Sequence, residues 1–196
     1  MGRRVILIAS GETERRALPH LLAGFASEGV EILEVRIPPR HRDLTLDVAA
    51  SLIKAIWYDL EPRGFAPDKI VVLVDADDHQ AAEKVADIEG PLVKRVEKIP
   101  VKVLVTAAKW HLEAWFFADP KGLRGCLGRD LGSVDASLPD AIRNPKHHLK
   151  QLLNRPYVAG VAEEIASRLD IAEVRRSPSF QALEAAIRNG GQATAS

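Results

Sequence analysis

Two aspartates at alternate positions, Asp75 and Asp77, directly follow the clearest buried-strand pattern of the chain, Ile70 to Val74. Because side chains of a strand repeat every second residue, both carboxylates should leave the strand on the same side. Two like charges this close repel each other unless a cation neutralises them, and hard oxygen ligands suit Mg²⁺ or Mn²⁺. The segment therefore predicts a divalent-metal site. The alternative interpretation is that these acids are solvated and cap the next helix.

A second segment with candidate chemistry, Ser10 to Glu14, follows the first apolar run of the sequence. Gly11 permits a tight strand-to-helix turn. Thr13 can cap the helix, and Glu12 and Glu14 complement the positive end of the helix dipole. Capping alone explains this pattern, so by itself it favours a structural role. The sequence contains neither a G-x-G-x-x-G fingerprint nor a G-K-[ST] phosphate loop, which argues against classical nucleotide binding.

A basic stretch between Ala141 and Ala162 bears on the substrate, because it contains no carboxylate. Basic side chains beside a metal site would hold a phosphate backbone, and the alternative is an ordinary solvated helix face. The chain as a whole carries 27 basic and 27 acidic residues, so an overall basic coat for bulk nucleic-acid binding is excluded. The residues predicted to contact nucleic acid are Arg143, Lys146, Lys150 and Arg155.

The two acidic segments together resemble the Toprim pattern, in which a glycine turn with acids follows the first strand and a D-x-D follows a later one. Toprim proteins include topoisomerases, primases, OLD-family nucleases and the RloB-type proteins of bacterial defence islands. Glu113 to Pro120 (EAWFFADP) is similar to the E-x-W-x-x-A-D motif of small Toprim proteins that are often encoded beside an ATPase. Further segments similar to that group are Asn144-Pro145-Lys146, Tyr157 and Arg176 to Phe180.

The resemblance implies a set of functional residues. By that likeness Mg²⁺ or Mn²⁺ would be held by Asp75 and Asp77, with Glu14, Glu113 and Asp119 completing the ligand set. For a phosphodiesterase on this pattern we predict Glu12, Glu14 and Lys146 as catalytic residues, with Lys146 or Arg143 stabilising charge on the phosphate oxygens.

Ser10 is the one departure from the Toprim pattern. The family motif usually reads E-G-x-[TS]-[ED], and its first glutamate is the acid/base, whereas this chain has Ser10 there. A serine hydroxyl is neutral at pH 7 and replaces a carboxylate neither as ligand nor as base. Glu12, two residues away, is the candidate substitute if the turn aims its carboxylate into the site.

The elements that must position these residues alternate between strand and helix patterns. Such alternation predicts right-handed crossovers and a mostly parallel sheet. Function then gathers beyond the carboxyl ends of the strands. The expected fold class is α/β, a Toprim (Rossmann-like) sheet with helices on both faces and a C-terminal helical segment. We expect a core over residues 1–119 and an extension over 120–196 packed on the same domain.

Several finer features are also predicted. The helix after Asp77 should break at Gly90-Pro91, and the stretch from Pro120 to Pro145 should be loop with short helical turns. Two helices should close the chain, the second capped by Ser177 or Ser179, before a frayed tail from Gly190.

The composition favours a globular protein and argues against a disulfide-rich one. A hydrophobic fraction of 46% is typical of a chain that buries a core, and a single cysteine excludes an internal disulfide framework. The first apolar run is too short for a signal-peptide core or a membrane span, so we expect a cytoplasmic protein without membrane association.

The leading functional hypothesis is a metal-dependent phosphodiesterase acting on DNA or RNA, as the partner of an AAA-type ATPase in a defence system. The main alternative is a catalytically weak or inactive Toprim-like binding module of such a system. A third hypothesis is a small-molecule phosphotransfer enzyme that uses the same edge of the sheet.

Overall fold

The computed structural model describes residues 2–39, 42–77, 80–132 and 134–188. Within them a four-stranded sheet has the order β2-β1-β3-β4, and every neighbouring pair is parallel. The strands are β1 Arg3–Ile8, β2 Val30–Arg36, β3 Lys69–Asp75 and β4 Lys102–Ala108.

Helices connect the strands and form the C-terminal segment. Their bounds are α1 Glu12–Leu21, α2 Leu46–Leu60, α3 Ala81–Arg95, α4 Glu113–Phe117, α5 Pro120–Leu127, α6 Pro145–Leu152, α7 Ala159–Ala166, α8 Ile171–Val174 and α9 Pro178–Arg188.

The sheet is apolar on both faces, which explains why its strands have continuous apolar sequences rather than alternating ones. Alternate residues of β1 and β3 enter two separate cores. Helices α2 and α3 cover one face, and helices α1, α4, α7 and α9 cover the other. The predicted architecture, an α/β fold with a parallel sheet, helices on both faces and a C-terminal helical segment, is confirmed.

The parallel topology determines where polar residues can gather. All four strands run in the same direction, so their carboxyl ends lie at one edge of the sheet. The segments that follow β1, β3 and β4 all begin there, because these three strands are neighbours in the sheet. This arrangement brings α1, the residues after Asp75 and α4 to a common edge.

The predicted helix break at Gly90-Pro91 is wrong, because α3 continues through both residues to Arg95. Proline lacks the N–H that would bond four residues back, and it normally breaks a helix interior. Gly90 and Pro91 lie on the exposed side, where water can satisfy the freed carbonyl. Leu92, fully buried on the opposite side, holds the helix against the sheet.

The stretch after Pro120 is also more regular than predicted, since α5 forms a helix of eight residues there. Its start has recognisable signals: Asp119 caps it, and Pro120 occupies the first turn. Two glycines, Gly122 and Gly125, weaken the helix pattern in the sequence. The chain also ends on more than two helices, because α6 to α9 all follow residue 144.

The predicted cap of the last helix is confirmed at Ser177, whose Oγ accepts a hydrogen bond from the Phe180 N–H at 3.2 Å. Among the described residues, no helix is long and apolar enough to cross a membrane. Asp78, His79 and the predicted tail from Gly190 lie outside the described residues. The boundary between residues 119 and 120 stays a prediction.

Candidate functional site

Glu14 reaches the carboxyl edge of the sheet from the first turn of α1. The tight turn at Gly11 begins this helix, and Glu14 is only 5% exposed. Burial raises the pKa of the Glu14 carboxyl, and Glu113 raises it further, while nearby backbone amides and Lys146 lower it. Glu14 therefore faces the interior, beside a second carboxylate and a lysine.

Asp75, the last residue of β3, stands beside Glu14. Burial raises the pKa of Asp75 to about 8, and the negative charges of Glu14, Glu113 and Asp77 contribute in that order. Lys146 acts in the opposite direction. At neutral pH Asp75 therefore retains a proton in the absence of a cation.

Glu113 opens α4 and is fully buried, at 0% exposed. Neither of its carboxylate oxygens has a hydrogen-bond partner among the residues that the structure describes. The nearest charge of opposite sign is Lys146 in the first turn of α6, with its Nζ 3.8 Å from Glu113 Oε1. We call Glu14, Asp75 and Glu113 the acidic cluster; Lys146 is its cation.

Asp77 lies at the exposed rim of this cluster in an unusual backbone conformation. It has a φ of 51°, and Trp110, which pairs with it as an isolated antiparallel bridge, has a φ of 63°. Such positive φ values cost energy for residues other than glycine. The Nε2 atom of His111 lies 3.5 Å from Asp77 Oδ1, and its buried Nδ1 atom has no hydrogen-bond partner. Sequence reasoning missed His111, and its position two residues before Glu113 was the only available signal.

Tyr157, in the loop between α6 and α7, reaches the acidic cluster from a distant part of the sequence. Its hydroxyl is buried without a hydrogen-bond partner. Burial raises the pKa of the Tyr157 phenol, and Glu113 and then Glu14 raise it further. The sequence marked Tyr157 only as part of a family signature and assigned it no role.

Glu12 is not brought to the acidic cluster. Its carboxylate forms an exposed ion pair with Arg15 at 2.7 Å, one turn along α1. Glu12 lines a different cavity of about 450 Å³ at the end of β2, together with Arg36 and Pro38. Helix geometry explains the difference from Glu14, because residues two apart point about 200° apart around the axis.

Asp119, a predicted metal ligand, has a structural role in this fold. Its Oδ1 accepts from the Gly122 N–H at 2.9 Å, and its Oδ2 accepts from the Asp170 N–H at 2.9 Å. The first bond caps α5, and the second fastens the start of α8 to it. Both oxygens are therefore occupied by backbone donors, and the structure does not bring Asp119 into the acidic cluster.

The predicted nucleic-acid-binding residues divide into two groups. Arg143 and Lys150 are exposed beside α6, on the same segment as Lys146. Arg155 instead forms an ion pair with Glu164 of α7. Of these four residues only Lys146 is shown beside the acidic cluster, and the carboxylate of Glu164 neutralises Arg155.

The remaining motif residues form a hydrogen-bonded network that we call the serine network: Asp140, Ser177, Ser179 and Trp115. Asp140 accepts from the Ser177 hydroxyl at 2.5 Å and from the Ser179 N–H at 2.7 Å. The Trp115 Nε1–H donates to Ser179 Oγ at 2.8 Å. Trp115 also packs edge-on against Phe180, with ring centroids 5.1 Å apart. These contacts join α4 to α9, so the motif residues in this network have a structural role.

The acidic cluster fits a magnesium ion by its chemistry. Mg²⁺ is commonly held by one or two carboxylates and several waters. The two unpartnered oxygens of Glu113, next to Asp75, supply donors of that kind. No group of three or more histidine, cysteine or acidic side chains in the described part of the chain is arranged to hold a metal ion. An all-protein cage is therefore not present there.

The comparisons with known proteins add the following. The sequence matches the family model DUF4276, a domain of unknown function, over residues 10–188. No curated protein matches it. Among solved structures, the chain is similar to the C-terminal region of the Burkholderia pseudomallei OLD protein, with 17% sequence identity and a TM-score of 0.48. That likeness covers 95% of this chain and 100% of the other. Because the family match spans most of the sequence, the chain belongs to the DUF4276 family.

Proposed function

We propose that this protein is a Mg²⁺- or Mn²⁺-dependent phosphodiesterase that cleaves DNA or RNA. The observation that carries the proposal is Glu113, a fully buried carboxylate for which the described part of the chain offers neither oxygen a hydrogen-bond partner. An unpaired buried carboxylate is costly, and such groups are retained where they bind a cation or a substrate. Its neighbours Asp75 and Glu14 also favour a bound cation, because the negative charges of three clustered acids repel each other.

In this proposal Asp75 and Glu113 hold the metal, with Asp77 at the rim. The metal would polarise the scissile phosphate and lower the pKa of a bound water. In this proposal Glu14 holds and exchanges a proton, since burial raises the pKa of its carboxyl above the ordinary value of a glutamate.

The basic residues of the α6 segment would bind the substrate backbone. Lys146, 3.8 Å from Glu113, is close enough to reach a phosphate bound at the cluster. Arg143 and Lys150 are exposed on the same segment and would hold flanking phosphates. Since these contacts are to the backbone, they imply little sequence preference.

Ser10 limits the assignment of roles within the proposal. Glu12, the candidate substitute for the missing family glutamate, is ion-paired with Arg15 and lines a separate cavity. The proposal therefore assigns the acid/base role to Glu14 rather than to Glu12. An AAA-type ATPase partner and a place in a defence system remain part of the proposal, and both rest on the sequence resemblance to Toprim proteins.

The test is incubation of the purified protein with plasmid, single-stranded DNA and RNA in Mg²⁺, Mn²⁺ or EDTA. We expect cleavage with either metal and none in EDTA. Glu14→Gln should lower the rate about 100-fold or more, because it removes the proposed acid/base. Asp87→Asn, which changes an exposed acid of α3, is the matched control and should cleave at the wild-type rate. Equal cleavage by Glu14→Gln and wild type would refute the assignment.

A second candidate is the binding module without catalysis. Two observations favour it: Ser10 replaces the family glutamate, and no cage of three acidic or histidine ligands occurs in the residues that the structure describes. This candidate predicts that the protein binds nucleic acid or an ATPase but cleaves no substrate with either metal. Gel-shift and cleavage assays on the same samples distinguish the two.

A further inference from the structure

We infer that Tyr157 is a positioning residue whose hydroxyl donates a hydrogen bond to the Glu113 carboxylate and thereby orients it towards Asp75. The inference rests on the proposed metal site and deepens it, because it says how the chain holds one of the proposed ligands. Tyr157 lies 44 positions after Glu113 in the sequence.

The first observation is that, within the described part of the chain, Glu113 has unpaired hydrogen-bond acceptors and Tyr157 has an unpaired hydrogen-bond donor. Among the described residues, only five buried side-chain polar atoms have no hydrogen-bond partner, and these include both Glu113 oxygens and the Tyr157 hydroxyl. A carboxylate only accepts hydrogen bonds, whereas a phenol donates. A buried polar group without a partner destabilises the fold, so a hydrogen bond between the two satisfies both groups at once.

The second observation is that the two groups interact electrostatically. The charge of Glu113 raises the pKa of the Tyr157 phenol, and after burial it is the largest cause of that shift. Glu14 acts on the same phenol more weakly. The phenol therefore lies within the electrostatic reach of the acidic cluster, and Glu113 is the acid that acts on it most strongly.

The third observation is that the Tyr157 ring is held in place. The ring packs on the apolar core formed by α1, α4 and α7, and Pro156 restricts the backbone just before it. Lys146 approaches Glu113 through Oε1. Since Lys146 approaches this oxygen, we assign the other one to the Tyr157 hydroxyl as its acceptor. Catalytic hydrogen bonds are often long in an empty site and tighten when it is filled.

The main experiment is a double-mutant cycle of Tyr157→Phe and Glu113→Gln, measured as melting temperature in EDTA. Tyr157→Phe keeps the ring and removes only the hydroxyl. If the hydroxyl bonds the carboxylate, Tyr157→Phe should lower the melting temperature less in the Glu113→Gln background than in wild type. Tyr58→Phe, at the exposed tyrosine of α2, is the matched control and should have the same small effect in both backgrounds. Additive shifts at Tyr157 would overturn the inference.

The second readout is Mn²⁺ affinity, followed by the EPR signal of the free ion. Loss of a hydrogen bond that orients a ligand typically weakens metal binding about 10–100-fold, so Tyr157→Phe should bind Mn²⁺ at least 10-fold more weakly than Tyr58→Phe. Equal affinities would overturn the positioning role even if the cycle shows coupling. If wild type binds no Mn²⁺, the proposed metal-dependent function is refuted. The double-mutant cycle then tests by itself whether Tyr157 orients Glu113.

Discussion

The acidic cluster and the serine network each include a residue of α4, yet they differ in how far their hydrogen bonds are satisfied. Glu113 has no hydrogen-bond partner within the described ranges, whereas Trp115, two residues later, donates to Ser179. Asp140 in the serine network accepts three hydrogen bonds from serines. A fully satisfied network stabilises one arrangement of the chain. An unsatisfied buried group requires an explanation, and the proposed function supplies one in a bound cation.

The largest effect on stability is expected from the satisfied region. Asp140→Ala removes the acceptor for Ser177 and Ser179 and leaves their donors without a partner beside the core. The free energy of unfolding should fall by about 3 kcal/mol, measured by urea denaturation. Asp140→Asn keeps one oxygen acceptor and should lose less. The exposed Asp135→Ala, in the same loop, is the control; if it costs as much as Asp140→Ala, the serine network does not hold α9 in place.

An effect of opposite sign is expected in the acidic cluster. The folded protein keeps a proton on Asp75 up to about pH 8, whereas the unfolded chain releases it near the ordinary value of 3.8. The folded state therefore binds more protons within that window, so wild-type stability in EDTA should fall as pH rises from 5 to 7.5. Asp75→Asn should flatten this slope and stabilise the protein by about 2 kcal/mol at pH 7.5.

Urea unfolding at several pH values, all in EDTA, checks this prediction, with Asp87→Asn as control. The range stops at pH 7.5 because burial lowers the pKa of Lys69 to about 8, and that lysine adds its own dependence above it. A wild-type slope retained in Asp75→Asn would mean that Asp75 carries no folding-linked proton.

The smallest effect is expected at Glu12, which belongs to neither region. Glu12→Ala breaks an exposed ion pair with Arg15, which is worth less than about 0.5 kcal/mol. Stability, its dependence on pH and the response of the melting temperature to Mn²⁺ should all match wild type. A lost Mn²⁺ response in this variant would show that Glu12 turns into the site and would reassign the role given to Glu14.

The sequence by itself determined the class of fold and one edge of the site. The apolar runs of β1 and β3 can only be strands buried on both faces, and parallel topology then places Asp75 and the start of α1 at one edge. These conclusions follow from patterns that are local in the chain. The cap at Ser177 was predictable for the same reason.

Only the tertiary structure decided which polar groups remain without a partner. Asp119 and Glu113 belong to one motif, yet backbone N–H groups bond both oxygens of Asp119, whereas no described residue stands at hydrogen-bond geometry to the oxygens of Glu113. Arg155 is neutralised by Glu164, on a helix that follows it, and Tyr157 reaches Glu113 from another segment. Hydrogen bonds and desolvation depend on which segments meet in space, and a pattern of spacing along one chain does not contain that information.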